Sequence, residues 1–326
     1  MSYVIGSFNV MKLSVQPDKE TNRDFGRLAD IIKRENFDVV ALQEVFTSEA
    51  ISQKLLRELG EREWDFCWDR PQSLGTSAEG YAFLWKKSRL KLVEANDNPE
   101  IFNQYSIQDS RISGSDKRLI GGSGIVRPPY VARFTPSGLL GGSFFEIRLI
   151  NTHISFGKPK DAEMYMADPE MKDLAVRRQE LTTLSEEIYR RVSVKQYGDN
   201  MPSYTILLGD YNLCLCGNED RMEFIKIDNA RILRTVQKEK TSLKQVKKDE
   251  EQRPVAMADY YANDYDHFSY ETALDDKLRL TVSRVDALEK YYGNDLEAYR
   301  HEISDHVPIK LALDLTLREG LRSHGM

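Results

Sequence analysis

The stretch Ser304-Asp305-His306-Val307-Pro308-Ile309-Lys310-Leu311-Ala312-Leu313-Asp314-Leu315 reads as a buried strand with chemistry at its mouth. Ile309, Leu311, Leu313 and Leu315 recur every second residue, the period of a strand with one face in a core. An adjacent carboxylate and imidazole, Asp305-His306, stand just before that run. A strand holds such residues still while aiming them outward. An Asp-His pair is also common in surface turns, so its weight depends on what the rest of the chain supplies.

Working outward, other apolar runs end in the same way. Tyr3 to Val10 reads as a strand carrying Asn9 near its end, and Phe37 to Leu42 as a strand ending in Gln43-Glu44-Val45. Phe144 to His153 closes on Asn151-Thr152-His153, and Tyr204 to Leu208 on Gly209-Asp210-Tyr211-Asn212. Glu79 to Lys86, Arg127 to Phe134, Tyr265 to Tyr270 and Leu278 to Leu280 complete the expected strands. Phe25, Leu28, Ile31 and Ile32 share one helical face, with Asn22 or Asp24 as cap and Asn36 as terminator. Ser48–Leu59 and Leu174–Val192 follow the same helical period. Residues 96–124 read as a surface excursion. The run Arg231–Arg253 holds eight basic and four acidic residues and reads as a solvated loop, or in a sharper reading as a grip on a nucleic-acid backbone. No repeat or linker divides the chain, so residues 1–326 are expected to form one domain.

Composition narrows the class. The chain has 326 residues, 40% hydrophobic and 30% charged, with a formal net charge of −6. That balance excludes a dedicated basic nucleic-acid binder, but a bound divalent cation can supply positive charge where a phosphate sits. The cysteines Cys67, Cys214 and Cys216 imply neither a disulfide framework nor a zinc site, and Cys214 and Cys216 read as small buried filler rather than a redox pair. No run approaches the ~18 apolar residues of a membrane span, and the first residues lack the pattern of a signal peptide. A soluble, cytoplasmic protein is expected.

The polar strand ends suit hydrolysis of a phosphate ester. Carboxylate and amide oxygens are hard ligands for Mg²⁺, and Glu44 is the best single candidate. Asp210 and Asn212, two residues apart, point to one side, where one handles water and the other donates to a phosphate oxygen. His153 and His306 can divide the acid and base work. Glu79 and Asp266 are the carboxylates available to orient them.

In order, Phe8-Asn9, Leu42-Gln43-Glu44-Val45, Asn151-Thr152-His153, Gly209-Asp210-Tyr211-Asn212 and Ser304-Asp305-His306 resemble the endonuclease/exonuclease/phosphatase superfamily, the DNase I-like fold. The resemblance implies a four-layer α/β sandwich of two packed mixed β-sheets flanked by helices. It implies hydrolysis of phosphodiesters or phosphomonoesters with Mg²⁺ or Mn²⁺, with Ca²⁺ as a further structural ion. Leu74-Gly75-Thr76-Ser77-Ala78-Glu79-Gly80-Tyr81-Ala82-Phe83-Leu84-Trp85-Lys86, Arg127-Pro128 and Tyr265-Asp266-His267-Phe268 are similar to segments of deoxyribonuclease I. By that similarity Glu79 supports His153 and Asp266 supports His306. Asn9, Glu44, Asp210 and Asp305 lie near the metal, while Asn212, Arg127 and Tyr81 face the substrate. Insertions at 96–124 and 157–172 depart from the pattern, and His267 stands where a basic residue is usual.

The leading expectation is a monomeric Mg²⁺-dependent DNA endonuclease of low sequence specificity. It grips the DNA backbone with Arg127 and the lysines between Lys238 and Lys248 and has no membrane partner. The alternative keeps the fold and changes the substrate to a lipid headgroup, inositol phosphate or nucleotide. A binding module without activity predicts the loss of an essential polar group, and none is missing. Tyr260, Tyr261 and Tyr265 can stack on bases, but packing beneath the charge-dense run is the simpler reading.

Overall fold

The period-two runs assemble into two mixed sheets. In the computed structural model, residues 2–16, 22–69, 79–95, 125, 127–138, 145–154, 169–197, 201–215, 223–237, 239–246, 248 and 257–315 are described. The first sheet has the order β12 (Arg279–Arg284), β13 (Ile309–Asp314), β1 (Ser2–Leu13), β2 (Val39–Val45), β4 (Gly80–Lys86), β3 (Trp64–Asp69). The second runs β5 (Leu90–Ala95), β6 (Tyr130–Pro136), β7 (Glu146–His153), β8 (Ser203–Asp210), β11 (Asp266–Glu271), β10 (Ile232–Val236), β9 (Phe224–Lys226). Each sheet has one parallel pair at its centre, β1 with β2 and β7 with β8, and is antiparallel elsewhere.

Parity along each strand assigns its two faces. Tyr3 and Ile5 of β1, Val39 and Ala41 of β2, Ile147 and Leu149 of β7, and Ile206 and Leu208 of β8 meet in the layer between the sheets. Phe8, Val10, Val40 and Leu42 point the other way, onto helices outside the first sheet. Those helices are α1 (Phe25–Arg34), the π-helical turn Ala50–Leu55 with α2 (Leu56–Leu59), and further along the chain α6 (Ala287–Tyr292) and α7 (Leu296–Glu302). Val131, Ile150, Leu207 and Leu233 face α3 (Pro169–Thr183) and the π turn Leu184–Tyr189 that leads into α4 (Arg190–Val194), outside the second sheet. Helix α5 (Ala273–Lys277) links β11 to β12. The four layers follow from the alternation: a strand apolar on both faces must be covered on both.

Local signals hold where they were read. Asp24 caps α1, its Oδ1 accepting from Arg27 N at 2.9 Å, and Asn36 follows the helix with φ +57°, the left-handed conformation that stops it. The charge-dense run needs correction. It opens as β10, because Leu233 packs against the α3 side and Thr235 Oγ1 reaches Ser269 Oγ at 2.7 Å. Beyond it, Lys240 and Lys244 pair with Asp259 at 3.2 and 3.1 Å, and Lys248 with Glu297 at 2.9 Å. Lys238 and Lys247, with the readings at 96–124 and 157–168, lie outside the described residues; 169–172 open α3. Strands β3, β5 and β9 and helices α5, α6 and α7 were not anticipated. Among the described residues, no helix is long and apolar enough to cross a membrane.

Candidate active site

The inner-face parity that fills the core with apolar side chains delivers polar ones at the strand ends. After Tyr3 and Ile5, β1 continues to Ser7 and Asn9; after Val39 and Ala41, β2 reaches Gln43. In the second sheet β7 continues to Asn151 and His153, β8 to Asp210, and β11 begins with Asp266 opposite Asp210. These residues form a rim at one edge of the sandwich.

Bulges refine the aim on the first sheet. The β1–β2 ladder shifts between Asn9 and Leu13, and β2–β4 between Leu42 and Val45. Met11, Lys12 and Glu44 take φ of +38°, +55° and +60° there. A bulge rotates the side chains that follow it, which turns Glu44 toward Asn9. Asn9 Nδ2 donates to Glu44 Oε1 at 2.9 Å and to Asp210 Oδ2 at 3.0 Å, joining the two sheets. Lys12 N donates to Glu44 Oε2 at 3.1 Å.

On the second sheet Gly209, at φ +140°, lets β8 press against β7. A Cβ there would lie 1.8 Å from the Thr152 carbonyl oxygen. Asp210 follows, its Oδ1 accepting from Asn212 N at 2.8 Å. Asn212 bends back with φ +50°, and its Nδ2 donates to Ile154 O at 2.9 Å. Arg177 of α3 donates to the Asn212 carbonyl.

Two imidazoles flank Asp210 Oδ2. His153 Nε2 lies 3.7 Å from it and His306 Nε2 3.6 Å. Each ring has its own carboxylate behind it: Asp266 Oδ2 is 2.7 Å from His306 Nδ1, and Glu79 Oε2 is 2.9 Å from His153 Nδ1. Burial opposes charging both rings. For His306 the carboxylates of Asp266 and Asp210 outweigh it and hold the imidazole well above its ordinary value. For His153 burial and Arg127 both oppose the charge, but Glu79 and Asp210 still raise it. Asp210 is buried too, yet the two histidines keep it below the usual carboxylate range. Glu44 goes the other way: burial raises it, His153 only partly offsets that, and Glu79 and Asp305 add to the rise.

The remaining expected residues take different places. Arg127 Nη2 donates to Glu79 Oε1 at 2.9 Å, and its Nη1 reaches His153 O at 3.4 Å. Tyr81 is 1% exposed and lies behind His153, whose backbone N–H donates to the Tyr81 hydroxyl at 3.0 Å. The structure thus puts Tyr81 under the site and not on the substrate-facing surface. Asp305 lies beside Arg300, with 3.6 Å between Oδ2 and Nη2. His267 is 0% exposed, its Nε2 2.9 Å from Leu213 O, which keeps it off any phosphate. Tyr261 donates to Asp286 at 3.1 Å under the Arg284 guanidinium, as packing rather than base stacking requires. Burial pushes the Cys214 thiol up to about 11, which leaves it unreactive at neutral pH; Cys216 lies outside the described residues.

Sequence reasoning missed two supports. Thr241 Oγ1 accepts from Asp266 N at 3.1 Å, and Arg177 braces the Asn212 turn. Both come from segments whose sequence shows only a polar loop and a charged helix.

Among the described residues, side chains able to hold a metal gather in two groups, Glu44 with Glu79 and His153, and Asp210 with Asp266 and His306, the candidate ligand atoms of each within 4.8 Å. In each group the imidazole Nδ1 already faces its carboxylate, so these are orienting dyads first. A better fit for a divalent cation is the pair of carboxylates Glu44 and Asp210, with Asp305 near enough to disfavour charge on Glu44; Asn9, expected as a ligand, here turns Nδ2 to them while its Oδ1 accepts from Met11 N at 2.9 Å. Glu44 Oε1 and Asp210 Oδ2 converge on one amide nitrogen of Asn9, the place of a positive partner. Hard oxygen donors of this kind suit Mg²⁺-like ions.

The sequence model of the Endonuclease/Exonuclease/phosphatase family matches residues 6–222. The chain belongs to this family. The match includes Asn9, Glu44, Glu79, His153, Asp210 and Asn212; Asp266, Asp305 and His306 join them through the geometry alone. The family's enzymes are hydrolases of phosphoester bonds. No curated protein sequence matches the chain. Among solved structures, an endonuclease/exonuclease/phosphatase from Bacteroides vulgatus is 16% identical with a TM-score of 0.55, over 97% of this chain and 99% of that one. TDP2 from D. rerio, solved with a single-strand DNA product, is 14% identical with a TM-score of 0.52, over 96% and 99%. ANGEL2, a 2',3'-cyclic phosphatase solved with adenosine-2',3'-vanadate, is 13% identical with a TM-score of 0.53, over 97% and 96%. At these identities the likeness is one of fold, and that fold is the DNase I-like sandwich.

Proposed function

We propose that this chain is a metal-dependent phosphodiesterase that cuts the DNA backbone with little sequence preference, residues 1–326 acting as one catalytic unit and as a monomer. The observation that carries it is a pair of histidine–carboxylate dyads about one carboxylate: Asp210 Oδ2 stands 3.7 and 3.6 Å from two imidazole nitrogens, with His306 hydrogen-bonded to Asp266 and His153 Nδ1 2.9 Å from Glu79 Oε2. Hydrolysis of a phosphodiester needs one group to take a proton from water and another to give one to the departing oxygen. Two imidazoles beside a common carboxylate supply both when one is protonated and the other neutral.

Glu44 and Asp210, with Asp305, would hold Mg²⁺ or Mn²⁺, whose charge would offset that gathering on the phosphate. Asp210 keeps the attacking water between the rings. Asn212, rigid in its bent turn, donates to a non-bridging oxygen, and Arg127 adds a charge-assisted donor beside His153. Glu79 and Asp266 fix the orientation of the rings and stabilise their charged forms. The D. rerio TDP2 neighbour, with its single-strand DNA product, makes nucleic acid the first substrate to try.

A second reading, hydrolysis of a small phosphate ester, is favoured by one observation. Lys240, Lys244 and Lys248 are each held by an acidic side chain, so they offer no free basic strip to a duplex. The test is nicking of supercoiled plasmid with Mg²⁺, with and without EDTA, by the parent, His153→Ala and His306→Ala. Nicking that needs the metal and both histidines is the expected result. Intact plasmid with folded, metal-loaded protein, together with turnover of a nucleotide, inositol or lipid phosphate, would replace the first reading with the second.

A further inference from the structure

We propose that Gln43 and Asn151 are positioning residues, a cross-sheet amide pair that pins the β2 bulge to β7 and so holds Glu44 in place against His153. Both are 0% exposed. Gln43 Nε2 donates to Asn151 Oδ1 at 2.7 Å and to Ser7 Oγ at 3.2 Å. Asn151 Nδ2 donates back across the layer to Leu42 O at 3.0 Å, with Ala82 O at 3.5 Å. One side chain of the second sheet thus ties together two strands of the first, β2 and β4, and Gln43 extends the tie to β1 through Ser7.

The location of these bonds gives the pair its purpose. Leu42 and Ala82 are partners in the β2–β4 ladder just before it shifts, and pairing resumes at Val45 with Gly80. Gln43 and Glu44 are the residues spanned by that shift, so the amide pair grips the bulge at its root. Asn151 is two residues before His153 on the same face of β7. The layer below is apolar, and apolar contact is non-directional, so it restrains a small slide of one sheet over the other only weakly. Hydrogen bonds fix distance and direction together.

The assignment rests on the proposed use of Glu44 and His153, and its test does not need turnover. Gln43→Met combined with Asn151→Leu keeps the volume and removes the polar atoms. Amide hydrogen exchange on the metal-free full chain then reads two reporters: Lys12 N, which donates to Glu44 Oε2, and His153 N, which donates to the Tyr81 hydroxyl. The expected result is a Tm within about 3 °C of the parent and exchange at both reporters about 10-fold faster, with other strand amides unchanged. Where the parent cleaves a phosphodiester, the variant loses about 100-fold in kcat at unchanged KM. Parental exchange at both reporters overturns the assignment. So does a variant that fails to fold, or that loses protection evenly over both sheets, since the pair is then a general stabiliser. A parent that cleaves no phosphoester refutes the proposed function and leaves the exchange result to decide this one.

Discussion

Replacing Gly209 with alanine moves the Asp210 carboxylate without touching any charged group. Gly209 pairs with Thr152 on one side and with His267 on the other, so it cannot shift freely. An alanine Cβ at its place would stand 1.8 Å from Thr152 O and 2.9 Å from Thr152 C. Ordinary contact for such atoms is roughly 3.4 Å or more, so β7 and β8 must part by about 1.5 Å or residue 209 must leave φ +140°. Either change carries Asp210 away from Asn9, whose bond to Oδ2 is 3.0 Å long, and from the two imidazole nitrogens. A displacement near 1 Å at reacting groups costs about 100-fold in rate. The left-handed backbone adds roughly 1–3 kcal/mol of strain, and a weakened ladder bond about 1 kcal/mol more. Plasmid nicking at saturating Mg²⁺, alongside a thermal melt, reads both effects. Gly209→Ala should fold with a Tm lowered by roughly 5 °C and nick about 100-fold more slowly. Parental rate and Tm would show that the close approach of β7 and β8 does not place Asp210.

Other substitutions probe the supports one at a time. Tyr81→Phe leaves the buried His153 N–H without its acceptor and should cost about 1–3 kcal/mol in urea unfolding; an unchanged midpoint would mean the amide has another partner. Glu35 lies within hydrogen-bond reach of Lys290, Lys310 and Tyr291 at 3.1, 2.9 and 2.9 Å. Burial raises its carboxyl, but these partners outweigh that and hold it below the usual range. A depressed folded value stabilises above the unfolded value of about 4.5 and ceases to as pH falls through the folded one. Glu35→Gln should therefore lose roughly 1–2 kcal/mol at pH 7, discounted for the partly exposed lysines, and converge with the parent on acidification; a constant gap between their urea midpoints refutes this. Asp24→Ala removes the cap of α1 and should cost about 1 kcal/mol, read in the same unfolding assay.

The strand ends were legible because chemistry and periodicity coincide there. Asn9, Gln43, Asn151, His153 and Asp210 each continue an inner-face row, so parity alone predicts that they share a side once the sheets are stacked. Position in the row does not reveal aim. Glu44 faces Asn9 because of a bulge and a positive φ, and a non-glycine residue in that conformation leaves no mark in the sequence. Tyr81 shows a related limit: the resemblance put it on the substrate, and nothing in the sequence says that its hydroxyl is used by the His153 backbone. Strand β3 escaped notice because Trp64–Asp69 alternates poorly, with only Trp64 buried. Helices α6 and α7 span six and seven residues, too short for a helical period to show. The start of β10 hid among charges because Arg231 and Arg234 pair with Asp228, Glu271 and Asp275 along it; composition reports charge, not whether it is spent.

Charge at the rim explains how an acidic chain can act on an anion. Glu44, Glu79, Asp210, Asp266 and Asp305 gather around His153 and His306, and the nearby guanidinium groups of Arg127 and Arg300 lie against Glu79 and Asp305. A phosphate approaching such a set meets net repulsion, and the net charge of −6 adds to it at longer range. Spending Arg127 on Glu79 would be wasteful in a site that drew phosphate by arginine alone. It is sensible where the arginine's work is to hold a carboxylate behind His153. The raised Glu44 carboxyl points the same way: without a positive partner the cluster prefers to take up a proton. Divalent ion and phosphate should therefore bind with strong positive coupling, each weak alone. Titrating a phosphate analogue with and without Mg²⁺ measures that coupling, and equal affinity in both would contradict this account of the site.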